Sequence, residues 1–236
     1  MWDWAAFLHY LASPYLLEGA GVTLGLTGAS FAIGLGCGIL AALMRLSPRP
    51  WLARPAGFYV WLMRGTPVLI QLIIIYTGLP QLGIRLGVLA SSLVGLGLNE
   101  GAYLSEIIRA GIEAVPAGQS DAGRALGLRP LQIMRLIVLP QALQMMIPAF
   151  GNSFNSLLKT SSLASVISMS ELLRHAELLM QIQFKVLEVF AVAALYYLAM
   201  TTAWGFVQAR LERRFSQRSA AMPIALEALE IGPDAA

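Results

Sequence analysis

The sequence contains few charged residues. Only 12% of its 236 residues are Asp, Glu, Lys or Arg, where a soluble domain carries about 25%. Hydrophobic residues make up 57%, and several apolar runs have the ~18 residues or more that a membrane helix requires. An ordinary water-soluble domain is therefore excluded. Because the runs are continuous and do not alternate, a transmembrane barrel is disfavoured, and the sequence predicts an all-α polytopic membrane protein.

The sequence is also poor in the residues that enzymes and metal sites use. Its one cysteine, Cys37, has no partner for a disulfide or a zinc site, and its two histidines, His9 and His175, lie in no cluster of ligands. No glycine precedes Lys159, so the phosphate-binding motif G-x-x-x-x-G-K-[ST] is absent. Ser153 could act as a nucleophile only with a base at its depth, and neither histidine is placed there. We expect no catalytic residue, no metal site and no cofactor bound by this chain.

About five transmembrane helices fit the apolar pattern within a single domain, residues 1–236. The expected spans are about 19–44, 56–79, 88–112, 141–158 and 186–207. The aromatic residues before the first span are typical of an interfacial segment at the level of the lipid head groups, and no basic region or cleavage pattern predicts a removable signal peptide. The tail, about 211–236, is predicted to be disordered.

Basic residues are unequally divided between the two sides of these spans. One side holds Arg45, Arg49, Arg54, Arg124, Arg129, Arg135, Arg210, Arg213, Arg214 and Arg218. The other side holds Arg85, Lys159, Arg174 and Lys185. Because segments rich in Arg and Lys stay in the cytoplasm, we expect a multi-pass membrane protein with its N-terminus outside and its C-terminus inside.

The most polar internal stretch, from Gln119 to Pro140, is expected on the cytoplasmic side as two short helices. Gly127 can end the first helix, Pro130 can occupy the first position of the second, and Pro140 can begin the next element. An amphipathic hairpin between two membrane-length runs is well placed to be bound by another protein. The alternative is a solvated loop with a chance helical pattern.

This stretch resembles the EAA loop of ABC importer permeases, whose coupling helices dock into a groove on the ATP-binding subunit. The matching positions are Asp121, Ala122, Gly123, Gly127, Ile137, Leu139 and Pro140. The sequence departs from the family pattern at two of them, because Asp121 stands where Glu is common and Gly123 where a second Ala is common. The resemblance implies a coupling loop at about residues 113–140.

Three further runs resemble the permeases for polar amino acids in particular. The run RGTPVLIQL at 64–72 is similar to their second-span signature, and GAY at 101–103, followed by Glu106 and Arg109, is similar to their third span. The run KTSSLASVI at 159–167 matches their K-D-T-S-L-A-S-V-I segment, with a threonine in place of the acid. Several ordered motifs at family spacing are far more specific than one short pattern.

The resemblance implies the type I ABC importer permease fold, a location in the bacterial inner membrane, and a role as the membrane-spanning subunit of an ATP-driven importer of polar amino acids. The implied partners are two copies of an ABC ATP-binding subunit, a second permease subunit (identical or homologous), an extracytoplasmic amino-acid-binding protein and the lipid bilayer. Nucleic acid is not a partner. ATP and Mg²⁺ would be bound by the ATPase subunit. An ion-coupled carrier or a passive channel is the alternative, and the coupling loop disfavours it because such proteins need no ATPase.

Nine polar side chains in or beside the spans are candidates for the substrate pathway. They are Arg64, Thr66, Gln71, Glu100, Tyr103, Glu106, Asn152, Asn155 and Lys159. Ionisable groups inside a membrane are costly unless paired, and broken transporter helices often supply polar groups to substrates. The alternatives are structural: a kinked helix whose arginine faces an interface, carboxylates that only neutralise arginines, and asparagines that hydrogen-bond neighbouring helices.

Overall fold

The computed structural model describes residues 2–220, with side-chain environments given as far as residue 215. Every regular element in this range is helical. The helices are α1 (Trp4–Leu11), α2 (Pro14–Arg45), α3 (Pro50–Gly65), α4 (Val68–Ile73), α5 (Val88–Glu113), α6 (Ala117–Ala125), α7 (Pro130–Ile133), α8 (Leu139–Thr160), α9 (Leu172–Gln183) and α10 (Val186–Ala220). Wide π turns occupy Ile74–Gly78 and Met134–Val138, and tighter 3₁₀ turns occupy Leu79–Leu82 and Ser161–Ile167.

The all-α polytopic architecture is confirmed. Three helical segments of the described chain are long and apolar enough to cross a membrane, namely Pro14–Arg45, Pro130–Ile167 and Val186–Phe215. The pair Pro50–Gly65 and Val68–Leu82 is a fourth if it is counted as one broken span. The remaining expected span, α5, has 26 residues and hence a length of about 39 Å, but four ionisable residues lower its hydropathy.

Helix α5 can carry these polar groups because it lies at the centre of the bundle, against α2, α3 and α8. Small residues allow the close approach of α2 and α5. A Cβ atom at Gly34 would lie 3.0 Å from the Cβ of Glu100, and one at Gly38 would lie 2.9 Å from the Cβ of Leu104. Glycine at such contacts lets two transmembrane backbones pack directly on each other.

The second expected span, 56–79, is not one straight helix. α3 ends at Gly65, and the chain turns by 105° before the segment that starts with α4. Pro67 lacks the N–H that would continue the helix, and it forces the preceding Thr66 into an extended conformation, with φ −121° and ψ 145°. The interruption expected at residues 64–67 is therefore a sharp corner.

The fourth expected span, 141–158, is longer than the sequence pattern indicated. The helix begins at Pro130 and continues through Pro140 to the turn that ends at Ile167. Pro140 removes one backbone donor, and the wide turn Met134–Val138 just before it accommodates that loss. The same arrangement recurs where the wide turn Ile74–Gly78 precedes Pro80.

The last helix corrects the expectation for the tail. α10 runs to Ala220, so residues 211–220 are helical and are not the disordered segment that was predicted. The sequence ARLERRF at 209–215 consists largely of good helix formers, which extend the membrane helix beyond its apolar part. Residues 221–236 of the predicted tail lie outside the described residues.

Candidate functional site

A cavity of about 610 Å³ opens beside the corner between α3 and α4. It is bounded by this corner, by the middle of α5 and by α8. The lining residues are Arg64, Gly65, Thr66, Pro67, Val68, Leu96, Asn99, Glu100, Tyr103, Ser153, Ser156, Leu157 and Thr160. Its size falls within the ~300–1,000 Å³ that is usual for small-molecule sites, and its wall combines apolar surface with one acid, one base and several hydroxyl groups.

Side-chain hydrogen bonds stabilise the corner. The Thr66 hydroxyl donates to the carbonyl of Leu62 (2.8 Å), one of the acceptors that the helix end leaves free. The Gln71 amide donates to the carbonyl of Met63 (2.9 Å) and to the Thr66 hydroxyl (2.8 Å). Asn99 of α5 donates to the same Met63 carbonyl (3.0 Å) and to the Gln71 side-chain oxygen (3.1 Å). These bonds fix the backbone of the cavity rim against α5.

Glu100 supplies the acidic group of the cavity. Its residue is only 6% exposed, because Gly34 of α2 packs against its Cβ and Cγ. The Ser153 hydroxyl on α8 donates to one of its carboxyl oxygens at 2.6 Å. The second carboxyl oxygen has no hydrogen-bond donor within the described part of the chain. This geometry leaves one acceptor of a buried acid free to meet a bound cationic group.

Arg64 supplies the basic group, and it lies between the cavity and a cluster of ion pairs. Its guanidinium lies over the ring of Tyr103, 5.3 Å from the ring centroid, and it is 3.5 Å from a carboxyl oxygen of Glu106. Glu106 also pairs with Arg45 of α2 and, at 2.8 Å, with Arg109. Because Glu106 already has stronger partners, Arg64 is held loosely and half-exposed at the cavity wall.

The hairpin formed by α6 and α7 is a second distinct feature, and its turn has the expected geometry. Gly127 adopts φ +73°, a left-handed conformation that favours glycine. The N–H of Leu128 donates to the carbonyl of Gly123 (3.1 Å) and the N–H of Gly127 to that of Arg124 (2.9 Å). This closing pattern is the one that commonly ends a helix at glycine. The sequence prediction of the first helix end and of the Pro130 start is confirmed.

The two arms of the hairpin are in close contact. A Cβ atom at Gly123 would lie 2.9 Å from Cδ1 of Ile137 and 3.0 Å from Cγ1 of Ile133. Glycine therefore occupies a position where a larger residue would overlap the second arm of the hairpin. Ile133 and Gly123 are both buried, so the hairpin is a packed unit and not a solvated loop.

Apolar residues that this packing leaves uncovered surround a groove of about 830 Å³ at the hairpin. Leu126, which is 79% exposed, and Leu136 line the groove, and Leu131 is exposed elsewhere on the hairpin. Of the seven positions that carry the loop resemblance, five line the groove: Ala122, Gly123, Ile137, Leu139 and Pro140. Asp121 lies on the exposed face of α6, where it pairs with Arg124 at 2.6 Å. Exposed leucines rimmed by charge are typical of a protein-docking surface.

Comparison with known proteins identifies the family. Residues 34–217 match the family described as "Binding-protein-dependent transport system inner membrane component". The chain belongs to that family. Both the cavity and the hairpin of this permease lie inside the matched region.

Individual relatives agree with this assignment. The permease is 36% identical to the probable amino-acid ABC transporter permease protein YckA of Bacillus subtilis, covering 86% of this chain and 90% of that protein. It is 35% identical to the glutamine transport system permease protein GlnP of Escherichia coli K12, over 90% and 97% of the two chains. It is 38% identical to the arginine transport system permease protein ArtQ of Bacillus subtilis, over 85% and 92%.

Solved structures support the fold. A structure described as an amino acid ABC transporter with histidines superposes with a TM-score of 0.85 at 36% identity, covering 91% of this chain and 99% of that one. An inward-facing MetNI methionine ABC transporter superposes with a TM-score of 0.70 at 22% identity, over 85% and 96%. The second likeness concerns the fold alone. The type I importer permease fold expected from the sequence is therefore confirmed.

Family membership makes the chain a multi-pass transport subunit of the inner membrane rather than an enzyme. It also implies an ATPase partner and a substrate-binding protein.

Four of the nine candidate pathway residues line the cavity: Arg64, Thr66, Glu100 and Tyr103. Gln71 is only 7% exposed, does not line the cavity, and stabilises the corner through its hydrogen bond to the carbonyl of Met63. Glu106 belongs to the arginine cluster described above. The structure thus separates two acids, Glu100 and Glu106, that the helical spacing had placed on one broad face.

The remaining three candidates lie on a stripe of α8 that does not line the cavity. Asn152 accepts a hydrogen bond from Gln208 of α10 (3.1 Å). The side-chain oxygen of Asn155 is buried without a hydrogen-bond partner among the described residues. Lys159 is exposed and, like the other two, does not line the cavity.

The polar stripe of α8 that does line the cavity is displaced by one residue. It consists of Ser153, Ser156 and Thr160, whose spacing is the same as that of the predicted stripe. Sequence reasoning missed these residues and also Asn99, which adjoins Glu100 on α5. The signal for Ser153, Ser156 and Thr160 was present as a second i, i+3, i+7 pattern, but periodicity cannot choose between two adjacent polar stripes of one helix.

Proposed function

We propose that this permease forms the pathway of an ATP-driven importer of polar amino acids, and that the cavity at the α3–α4 corner receives the substrate. One observation carries the proposal: an acid and a base, Glu100 and Arg64, line the same cavity of about 610 Å³. A zwitterion needs opposite charges at separate points, and this wall supplies both. The names of the relatives, which include amino-acid, glutamine and arginine transport permeases, support the same substrate class.

Each charged group in the wall has a role in this proposal. Glu100 receives the α-ammonium group at the carboxyl oxygen that Ser153 leaves free. Arg64 receives the α-carboxylate, because its pairing with Glu106 at 3.5 Å is the weakest in that cluster. Tyr103, Ser156 and Thr160 also line the cavity, and their hydroxyl groups are left for the substrate's side chain. Charge-assisted hydrogen bonds of this kind are roughly twice as strong as neutral ones.

The α6–α7 hairpin is the proposed contact with the ATPase. Because its two arms pack tightly, the hairpin moves as a rigid body when the ATPase subunits close. Its exposed leucines supply the apolar contact area. Residues Asp121, Ala122, Gly123, Gly127, Ile137, Leu139 and Pro140 are assigned to this contact. ATP and Mg²⁺ are bound by the ATPase subunit. The complete assembly contains two ATPase copies and a second permease subunit, and an extracytoplasmic amino-acid-binding protein delivers the substrate.

The proposed orientation has the N-terminus outside and the C-terminus in the cytoplasm. The hairpin carries Arg124, Arg129 and Arg135, and arginine-rich loops are retained on the cytoplasmic side. The nearby ends of α2 and α5 carry Arg45 and Arg109 as well. This orientation presents the hairpin to a cytoplasmic ATPase.

The test begins with the permease purified by an affinity tag from its own membranes, followed by identification of the copurifying subunits. The assembly is then reconstituted in vesicles, and uptake of labelled amino acids is measured with and without enclosed ATP. We expect an ABC ATPase to copurify and uptake to require ATP. Uptake driven by an ion gradient without ATP would instead identify an ion-coupled carrier, and free equilibration would identify a channel.

A further inference from the structure

A shallow apolar groove of about 250 Å³ lies between α2 and α3, apart from the substrate cavity. Its walls are Cys37, Leu40 and Met44 of α2 and Pro55, Ala56 and Tyr59 of α3. None of its lining residues also lines the cavity. α2 is a membrane span and α3 is the first half of the broken one, so the groove lies within the thickness of the bilayer.

The floor of the groove is rigid and offers no free hydrogen bond. The Tyr59 hydroxyl donates to the carbonyl of Leu98 at 2.6 Å, which satisfies the one polar group of that side chain. A Cβ atom at Gly101 of α5 would lie 2.8 Å from both the Cβ of Cys37 and the Tyr59 oxygen, so α5 packs tightly beneath the groove. With its only hydroxyl engaged, the groove suits a hydrocarbon chain and not a polar guest.

One end of the groove adjoins a basic loop. The chain between Met44 and Pro55 contains Arg45, Arg49 and Arg54 and no acidic residue. Arg45 is engaged by Glu106. Arg49 and Arg54 are exposed and form no ion pair within the described part of the chain. One end of the groove, lined by Met44 and Pro55, is its mouth. Two exposed arginines without an ion pair among the described residues therefore lie in the chain segment that connects the two sides of this mouth.

The positions of these groups along the membrane normal match the shape of a phospholipid. Trp51, in the first turn of α3, is 67% exposed, and tryptophan prefers the level of the lipid head groups. Arg49, the residue that precedes α3, lies at the same level. From Met44 to Cys37 the wall of the groove descends about 10 Å along α2. The basic mouth is thus at head-group depth and the apolar wall is at acyl-chain depth.

We propose that this groove binds one acyl chain of an anionic phospholipid whose phosphate lies against Arg49 and Arg54. A basic pocket between membrane helices is the expected site for such a lipid. A neutral lipid would leave the two arginines without a counter-charge, and a helix of another subunit would have to bury them. The lipid supplies both a hydrocarbon chain for the groove and a negative charge for its mouth.

The test uses the full chain in nanodiscs and two photoreactive lipids that carry a diazirine in one acyl chain. The first is a phosphatidylglycerol and the second a matched phosphatidylcholine. After illumination, labelled residues are mapped by mass spectrometry. We expect the phosphatidylglycerol probe to label the segments 37–44 and 55–59 preferentially, and excess unlabelled phosphatidylglycerol to compete.

The variants Arg49→Gln and Arg54→Gln should each reduce this labelling about fivefold, since an arginine near the membrane surface contributes about 1 kcal/mol to anionic-lipid binding. Arg210→Gln is the matched control. Arg210 is also exposed, is expected on the same side of the membrane and has no ion pair among the described residues, but it does not border the groove. Its removal should leave the labelling unchanged. Equal melting temperatures in phosphatidylcholine alone establish that all variants are folded.

Three results would overturn the proposal. Equal labelling by both probes would mean that the groove does not select for charge. An equal loss in Arg210→Gln would mean that the arginines act only through the overall charge of the cytoplasmic surface. Absence of labelling in both groove segments would mean that another protein segment covers the groove.

Discussion

Asn99 on α5 donates a hydrogen bond of 3.1 Å to the side-chain oxygen of Gln71, and so ties the central helix to the far side of the α3–α4 corner. Asn99 also reaches the carbonyl of Met63, which the end of α3 leaves without an intrahelical partner. The 105° turn is therefore held from outside by a neighbouring helix. The orientation of Arg64 and Thr66 at the cavity depends on this contact.

Replacing Asn99 by Ala should destabilise the corner. The change removes two hydrogen bonds, each worth about 1 kcal/mol, so we expect a lower unfolding temperature together with slower uptake in vesicles. Asn155→Ala is the matched control, because the side-chain oxygen of Asn155 is already buried without a partner among the described residues. That change should be neutral or slightly stabilising. Equal losses in the two variants would contradict a bracing role for Asn99.

Glu100→Gln should weaken substrate binding without disturbing the fold. Glutamine keeps an oxygen that can accept the bond from Ser153, but it loses the negative charge that meets an ammonium group. Hydrogen bonds to charged groups contribute about 1.5–3 kcal/mol, so the apparent affinity measured by uptake should fall roughly 10- to 100-fold. Ser153→Ala should cost less. Unchanged uptake by an intact assembly of Glu100→Gln would remove this residue from the pathway.

Gly127→Val should uncouple transport from ATP hydrolysis. A β-branched residue at φ +73° adopts a strained conformation, at a cost of about 1–2 kcal/mol. The hairpin turn would rearrange, and substrate-stimulated ATPase activity should fall with the uptake rate. Gly127→Asn is the control, because asparagine tolerates the left-handed region. If Val and Asn behave alike, the conformation of this turn does not matter for coupling.

Overpacking at the hairpin contact should be relieved by a second change. Gly123→Leu places a side chain where even a Cβ atom would lie 2.9 Å from Cδ1 of Ile137, and such overpacking costs about 1–3 kcal/mol. Ile137→Ala vacates the same volume. In a double-mutant cycle on thermal stability and ATPase copurification, the pair should be less damaging than the sum of the single changes. Strict additivity would show that the two arms are not in contact.

The attachment of α1 to α10 should depend on pH through Asp3. The carboxylate of Asp3 accepts from the N–H of Ala6 (3.1 Å) and from the ammonium group of Lys185 (3.0 Å). These bonds, the backbone one first, lower the pKa of Asp3. A lowered carboxyl pKa stabilises the fold above the ordinary aspartate pKa, and this stabilisation is lost as the pH falls through the folded value.

We therefore expect acid to release α1, observed as a change in the fluorescence of Trp2 and Trp4. In Asp3→Asn the transition should become smaller, leaving the part that comes from Glu188 of α10, whose carboxylate accepts from the N–H of residue 3 (2.8 Å). A transition of the same size and midpoint in that variant would assign the titration to another group.

Local chemistry in the sequence determined much of this protein. Low charge and long apolar runs identified a helical membrane protein, because a lipid environment requires continuous apolar helices. Gly127 and Pro130 correctly located the turn and the second helix of the hairpin, since a left-handed helix end and a first-turn proline are local preferences. The resemblance of residues 121–140 then named the family that the comparisons confirm.

Only the tertiary structure decided which polar groups meet. Helix α8 has two adjacent stripes of polar residues with equal spacing. Contacts with α10 determine which of the two faces the cavity. Trp204 donates to the carbonyl of Gly151 (2.8 Å) and Gln208 donates to Asn152. The side of α8 that carries Asn152 therefore packs against α10, and Ser153 faces the cavity. The separation of Glu100 from Glu106 arises in the same way, from arginines on other helices. Periodicity fixes which residues share a face, but the rotation of each helix is set by the neighbours that pack against it.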